Sequence, residues 1–158
     1  MPLKDERILV TGADGFLAKN FISFLSKNDI HPFQISRNRD EISVIRADMS
    51  KCGNWQEKIK DLSPSVIIHF AGPSRPIDED DVDKNMLLAT NNLLNSLEGC
   101  SVFFLHLSSS AVYGEAMNET KQITEHSNCL TTDLYGEGKL KQEKLLINFA
   151  NKIKITLN

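Results

Sequence analysis

Short apolar runs alternate along the chain with longer stretches, several of which carry apolar residues at helical spacing. This alternation constrains the fold more than any other feature, because strands fed by intervening helices pair in parallel and need cover on both faces. The strand candidates are RILVTG, HPFQIS, ISVIRA, SVIIHFAG, SVFFLHLSS and, at the end, KIKITL. Between them, Phe16, Leu17, Phe21, Ile22 and Leu25 recur at three and four residue steps, which predicts a helix with one buried face. NWQEKIKDL predicts a modest helix stopped by Pro64, and a longer one is expected from Val82 to Leu97. A last helix is expected from Asp133 to about Asn151, supported by Leu134, Leu140, Leu145, Leu146 and Phe149. The pattern is α/β, a doubly wound parallel sheet in one domain spanning residues 1–158.

Composition narrows the partners. With 41% hydrophobic and 25% charged residues, the chain is of ordinary globular make-up and long enough for a real core. A net charge of -3 and no basic run give no field for nucleic acid or an anionic membrane surface. Cys52, Cys100 and Cys129 are too widely spaced for a metal knuckle, and their odd number argues against a disulfide framework, so a reducing cytoplasm is expected. The N-terminus has no apolar core of signal-peptide length, and no apolar run approaches a membrane span. His69 lies within an apolar strand with no second ligand at suitable spacing, which reads as a satisfied core histidine and predicts no metal site.

The turn after the first strand is TGADGFLA. Gly12 allows a tight turn, Gly15 lets a pyrophosphate approach the backbone, and small Ala18 lets helix and strand pack closely; a plain two-glycine turn is the competing reading. The second strand ends in SRNRD, where a dinucleotide site for an unphosphorylated ribose usually shows an acid. Ser36 and Arg37 stand there instead, suited to a ribose 2′-phosphate, which favours NADP over NAD unless this is only a polar loop. Asp48, past the third strand, suits an adenine amino group, and Ala71 and Gly72, past the fourth, leave space for ribose and pyrophosphate; loop chemistry explains them equally.

HLSSSAVYG follows the fifth strand and YGEGK opens the next helix. Carboxyl ends of adjacent parallel strands face one crevice, so the hydroxyls of Ser108 to Ser110 can converge on Tyr135 and Lys139, which share a helical face at i and i+4. An ammonium near a phenol, together with an oxidised nicotinamide, favours the phenolate. Moving a tyrosine from about 10 to near 7 needs roughly 4 kcal/mol, which two nearby cations in a partly dry site supply and a solvated surface pair does not. Gly136 and Gly138 each cost about 1 kcal/mol in a helix interior, which points to close packing or a frayed first turn.

In this order and spacing, TGADGFLA, HFAG, SSSAVYG and YGEGK resemble the extended short-chain dehydrogenase/reductase family, in its NAD-dependent epimerase/dehydratase group acting on nucleotide sugars. The resemblance implies an NAD(P)-binding Rossmann fold with Tyr135 as catalytic acid/base, Lys139 as its tuner and a ribose ligand, and Ser109 holding the sugar hydroxyl. It implies cofactor contacts from Gly12, Asp14, Gly15, Phe16 and Leu17, from Ser36, Arg37, Asp48 and Met49, and from Phe70, Ala71, Gly72, Asn85, Tyr135 and Lys139. The implied reaction is hydride transfer at a sugar carbinol carbon by an epimerase or a 4-ketoreductase. The acidic pair of 4,6-dehydratases is replaced here by Ser110 and Ala111, which disfavours that subclass. Relatives in the family continue into a C-terminal substrate domain, so the chain is expected to be a truncated piece. A dinucleotide-binding module without catalysis, acting as sensor or scaffold, is the alternative. A homodimer is possible through the helices after strands four and five, although Leu87, Leu88, Leu93 and Leu94 would serve the core as well.

Overall fold

The structure is a computed structural model that describes residues 3–114, 122–152 and 156–157. The six apolar runs form one parallel sheet: β1 (Ile8–Thr11), β2 (Phe33–Ser36), β3 (Val44–Arg46), β4 (Val66–His69), β5 (Phe103–His106) and β6 (Thr156–Leu157). Their order is β3-β2-β1-β4-β5-β6. The chain therefore winds outward from β1 to one edge and returns to place β4 against β1, with Thr11 beside His69. The strand order reverses at this point, and crevices of such sheets open at the carboxyl ends of the flanking strands. Of the expected final strand, residues 153–155 lie outside the described residues.

Period-two alternation divides the sheet residues between two cores. Leu9, Ile35, Ile45, Ile67 and Phe104 face one side, where α2 (Trp55–Leu62), α4 (Ala89–Asn95) and α5 (Leu134–Lys152) cover them with Ile59, Leu93, Leu94 and Leu146. Ile8, Val10, Val66 and Ile68 face the other side, under α1 (Phe16–Lys27) with Ala18, Phe21 and Ile22. α2 ends as Ser63 turns left-handed at φ 46°, before Pro64.

Three expectations need correction. Phe16 and Leu17 do not lie on the buried face of α1; they are 80% and 55% exposed, because that face runs through Ala18, Ile22 and Leu25, and at about 100° per residue Phe16 and Leu17 point away from it. The helix expected from Val82 begins earlier, as α3 (Glu79–Val82), since Asp78 caps it by accepting from the Asp81 N–H at 2.9 Å. It then widens into a π-helical segment, Asp83–Leu88, before α4. Of its leucines, Leu93 and Leu94 are core while Leu88 is exposed.

Candidate functional site

The crevice at the reversal of strand order holds a cavity of about 420 Å³. Its floor is the glycine-rich turn. Gly12 has φ 67°, and a Cβ there would stand 2.8 Å from the backbone of Ala71, so this turn lies against the end of β4 only with glycine. The Gly15 N–H donates to Gly12 O at 2.9 Å, and Gly15 in turn starts α1 without any side-chain cap. The first N–H groups of α1 are thereby left for another acceptor, and they carry the positive end of the helix dipole.

Gly12, Asp14, Gly15, Ser36 and Arg37 line the cavity on the β1–β2 side. Asp48, Met49, Phe70, Ala71, Gly72 and Asn85 line it on the others. Phe16 and Leu17 do not line it, and neither do Ser109, Tyr135 and Lys139. Reasoning from sequence missed Ile35, Asn38, Ala47, Ser50, Pro73, Asp81 and Ala89 as further lining residues. Asp81 had a signal, since it precedes Asn85 by one helical turn and accepts from its Nδ2 at 2.7 Å. Ser50 donates to Asp48 at 2.7 Å, and that bond, with Lys51 nearby, holds the Asp48 carboxyl below its ordinary range despite partial burial. An ionised acceptor therefore stands at the mouth of the β3 side.

Tyr135 and Lys139 lie at the start of α5, where Asp133 caps the helix by accepting the Gly136 N–H at 2.9 Å. Lys139 is only 5% exposed, its Nζ 6.0 Å from the centre of the Tyr135 ring and donating to Leu107 O at 2.9 Å. Burial lowers its pKa to about 8, opposed by the carboxylate of Glu143 one turn on, so the ammonium is still mostly charged at pH 7. Glu143 accepts a short hydrogen bond from Ser108, which ties α5 to the end of β5. Ser109 turns away from that contact and accepts from the Ala111 N–H at 3.2 Å, starting a short 3-10 turn, Ser110–Tyr113. Ser110 is exposed.

Close packing accounts for both helical glycines. A Cβ on Gly136 would meet Thr131 Oγ1 at 2.1 Å, and one on Gly138 would meet Met86 Sδ at 2.7 Å. Met86 belongs to the π segment, and its carbonyl accepts from the buried Gln142 Nε2 at 3.3 Å. The widened turn thus brings Asn85 to the cavity while Met86 packs on α5.

Beneath Lys139 lie two histidines. His69 is fully buried with Nδ1 2.7 Å from Thr11 Oγ1 and Nε2 3.0 Å from Thr90 Oγ1, the satisfied core histidine that its apolar strand suggested. Burial, then His106 and Lys139, push its pKa far down. His106 stacks on it at 5.5 Å, and both of its ring nitrogens are buried without a partner among the described residues. Burial, with Lys139 adding to it, lowers the His106 pKa to about 3. Among the described residues no group of three His, Cys, Asp or Glu is placed to hold a metal, and no helix is long and apolar enough to cross a membrane.

The family described as NAD dependent epimerase/dehydratase matches residues 8–157. The chain belongs to that family. Curated relatives include the methionine adenosyltransferase 2 subunit beta of Bos taurus, 26% identical over 149 residues that cover 92% of this chain and 44% of the relative. Another is the decarboxylating sterol-4-alpha-carboxylate 3-dehydrogenase of Saccharomyces cerevisiae, 26% identical over 157 residues, 77% of this chain and 45% of the relative. The chain thus spans less than half the length of these relatives. Among solved structures, the UDP-glucuronic acid 4-epimerase of Bacillus cereus in complex with NAD is similar at TM-score 0.80 and 24% identity, covering 96% of this chain and 54% of that one. The UDP-glucose 4-epimerase of Thermus thermophilus with NAD is similar at TM-score 0.81 and 18% identity, covering 96% and 53%. These likenesses establish the Rossmann fold of the chain.

Proposed function

We propose that residues 1–158 form one domain, the cofactor-binding part of an enzyme that moves hydride between a nicotinamide dinucleotide and a carbinol carbon of a nucleotide sugar, as an epimerase or ketoreductase. The observation that carries this reading is Lys139, a buried ammonium held beside the Tyr135 ring by a strand-end carbonyl. A surface lysine needs no such burial, and a cation in a site of low dielectric is what a catalytic phenol requires.

The residues fit the dinucleotide. The uncapped start of α1 and the bare Gly12–Gly15 turn suit a pyrophosphate, and the small Ala71 and Gly72 leave width at the strand ends. Asp48 suits the adenine and Asn85 the ribose side nearer the chemistry, while Lys139 stands outside this cavity beside Tyr135. The bound group would supply the hydride acceptor. Tyr135 exchanges the hydroxyl proton, with the Lys139 ammonium beside its ring, and Ser109 orients the hydroxyl. The exposed Leu88, at the end of the π segment leading into α4, and Ile147 of α5 suit pairing of two copies through the helices after β4 and β5, and the cytoplasm suits the three free thiols.

A second reading is a dinucleotide-binding subunit without turnover, favoured by the relatives named as the beta subunit of methionine adenosyltransferase. The two readings separate on turnover by the protein that carries this chain, followed as epimerised or reduced UDP-sugar. The enzyme reading expects product that Tyr135→Phe abolishes while dinucleotide binding persists. Binding without turnover of any nucleotide sugar supports the subunit.

A further inference from the structure

The end of β2 is wired to the glycine-rich turn. Ser36 is buried, and its hydroxyl donates to Asp14 Oδ2 at 2.6 Å while accepting the Asn38 and Arg39 N–H groups at 3.1 and 3.0 Å. Arg39 folds back over the same carboxylate, with Nε donating to Asp14 Oδ1 at 2.8 Å and a terminal nitrogen donating to Gln34 at 2.6 Å. The hydroxyl of Ser36 is therefore already committed, and Arg39 does not line the cavity. Asp14 does line it, between Gly12 and Gly15 on one side and Arg37 and Asn38 on the other. Each carboxylate oxygen has accepted one bond and retains a second lone pair.

We propose that Asp14 is the specificity-determining residue for the dinucleotide, its carboxylate accepting from the 2′-hydroxyl of the adenosine ribose and excluding a 2′-phosphate. The inference rests on the reading of this cavity as a dinucleotide site. It reverses the preference for NADP that Ser36 and Arg37 suggest from sequence, for a geometric reason. An acid usual at the end of β2 is supplied here from the turn, and the β2 residues act as its holders. A 2′-phosphate placed there meets a fixed negative charge, which costs affinity steeply in a partly dry cleft. Arg37 is exposed and solvated at the rim, so its attraction for the phosphate is weak by comparison. The ionised state is secure: burial raises the Asp14 pKa, but the Ser36 and Arg39 bonds outweigh it and hold the carboxyl below its ordinary range.

The test is a titration of the chain with NADH and with NADPH, followed by nicotinamide fluorescence. NADH is expected to bind at least about tenfold more tightly. Asp14→Asn, which keeps the shape and removes the charge, is expected to bring the ratio close to one through tighter NADPH binding. Arg39→Met, which leaves the Asp14 charge but removes the guanidinium that holds it, is expected to weaken NADH binding without bringing the ratio to one. Arg37→Ala is expected to change it less than about threefold. Tighter NADPH than NADH binding by the unaltered chain, or a ratio indifferent to Asp14→Asn, overturns the role of Asp14 and leaves the dinucleotide reading standing. Failure of both nucleotides to bind overturns the dinucleotide reading and this inference with it.

Discussion

The two ends of the crevice treat their charged groups in opposite ways. At the β2 end, Asp14 is about a third exposed and is met by a hydroxyl and a guanidinium. At the β5 end, Lys139 is buried with one carbonyl, over a histidine whose two ring nitrogens have no partner among the described residues. Polar groups at the first end exchange lost hydration for good bonds, so that end is inexpensive to hold in shape. Those at the second end lose hydration and are incompletely compensated, so the fold carries a cost there that the proposed chemistry explains. The proposed selectivity thus belongs to the satisfied end and the proposed reactivity to the unsatisfied one.

The sharpest way to break this contrast is with acid. His106 has a folded pKa of about 3 against an ordinary 6.5, so the unfolded chain takes up a proton that the folded chain refuses. Stability is therefore intact above pH 6.5 and falls as the pH drops toward 3, by roughly 4 kcal/mol for this group. Urea unfolding at pH 7 and pH 4.5 checks it: His106→Phe is expected to flatten the acid dependence, and an unchanged slope would remove His106 from the account.

A second test addresses the turn that both ends share. Gly12→Ala places a methyl group 2.8 Å from the backbone of Ala71 at a φ of 67°. About 3 kcal/mol of destabilisation is expected, read as a lower urea midpoint, with loss of dinucleotide binding. Gly15→Ala meets only Gly12 O, at 3.2 Å, and is expected to leave folding nearly intact.

The buried lysine predicts a gain. A Lys139 pKa near 8 in the folded chain and 10.5 unfolded means that the charged form is disfavoured by folding at neutral pH, and that stability rises as the pH climbs from about 8 to 10.5. Lys139→Met is expected to stabilise the chain by about 2 kcal/mol at pH 7, with the gap closing above pH 10. It is also expected to destroy any turnover. The smallest effect belongs to Ser108→Ala, which unties Glu143 from β5 and is expected to cost about 1 kcal/mol by thermal melting.

How far the sequence revealed this depends on the range of the interaction. Strands such as VIIH and the glycine turn were legible because their signal is local and continuous. The apolar period of α1 was legible too, but the small Ala18 that centres its buried face gives little apolar signal, and so the bulkier Phe16 and Leu17 were placed on the wrong face. The π segment leaves the apolar pattern almost unchanged, and Asn85, which lines the cavity, lies within it. Ser36 and Arg37 were read for their chemistry at the right strand end. The bond from Ser36 to Asp14, a contact across 22 residues of chain, is one that no local pattern encodes. Tyr135 and Lys139 were legible as a pair, while the depth of Lys139 beneath Leu107 required the fold.

The most direct test of the central proposal, that the crevice at the β1–β4 reversal receives a nicotinamide dinucleotide, is the change in backbone amide resonances of the chain as NADH is added. The account predicts saturable shifts concentrated at Gly12 to Gly15, Asp48 and Met49, and Ala71 and Gly72, with smaller ones near Tyr135 and Lys139. Shifts confined to other surfaces, or none at millimolar nucleotide, would contradict it.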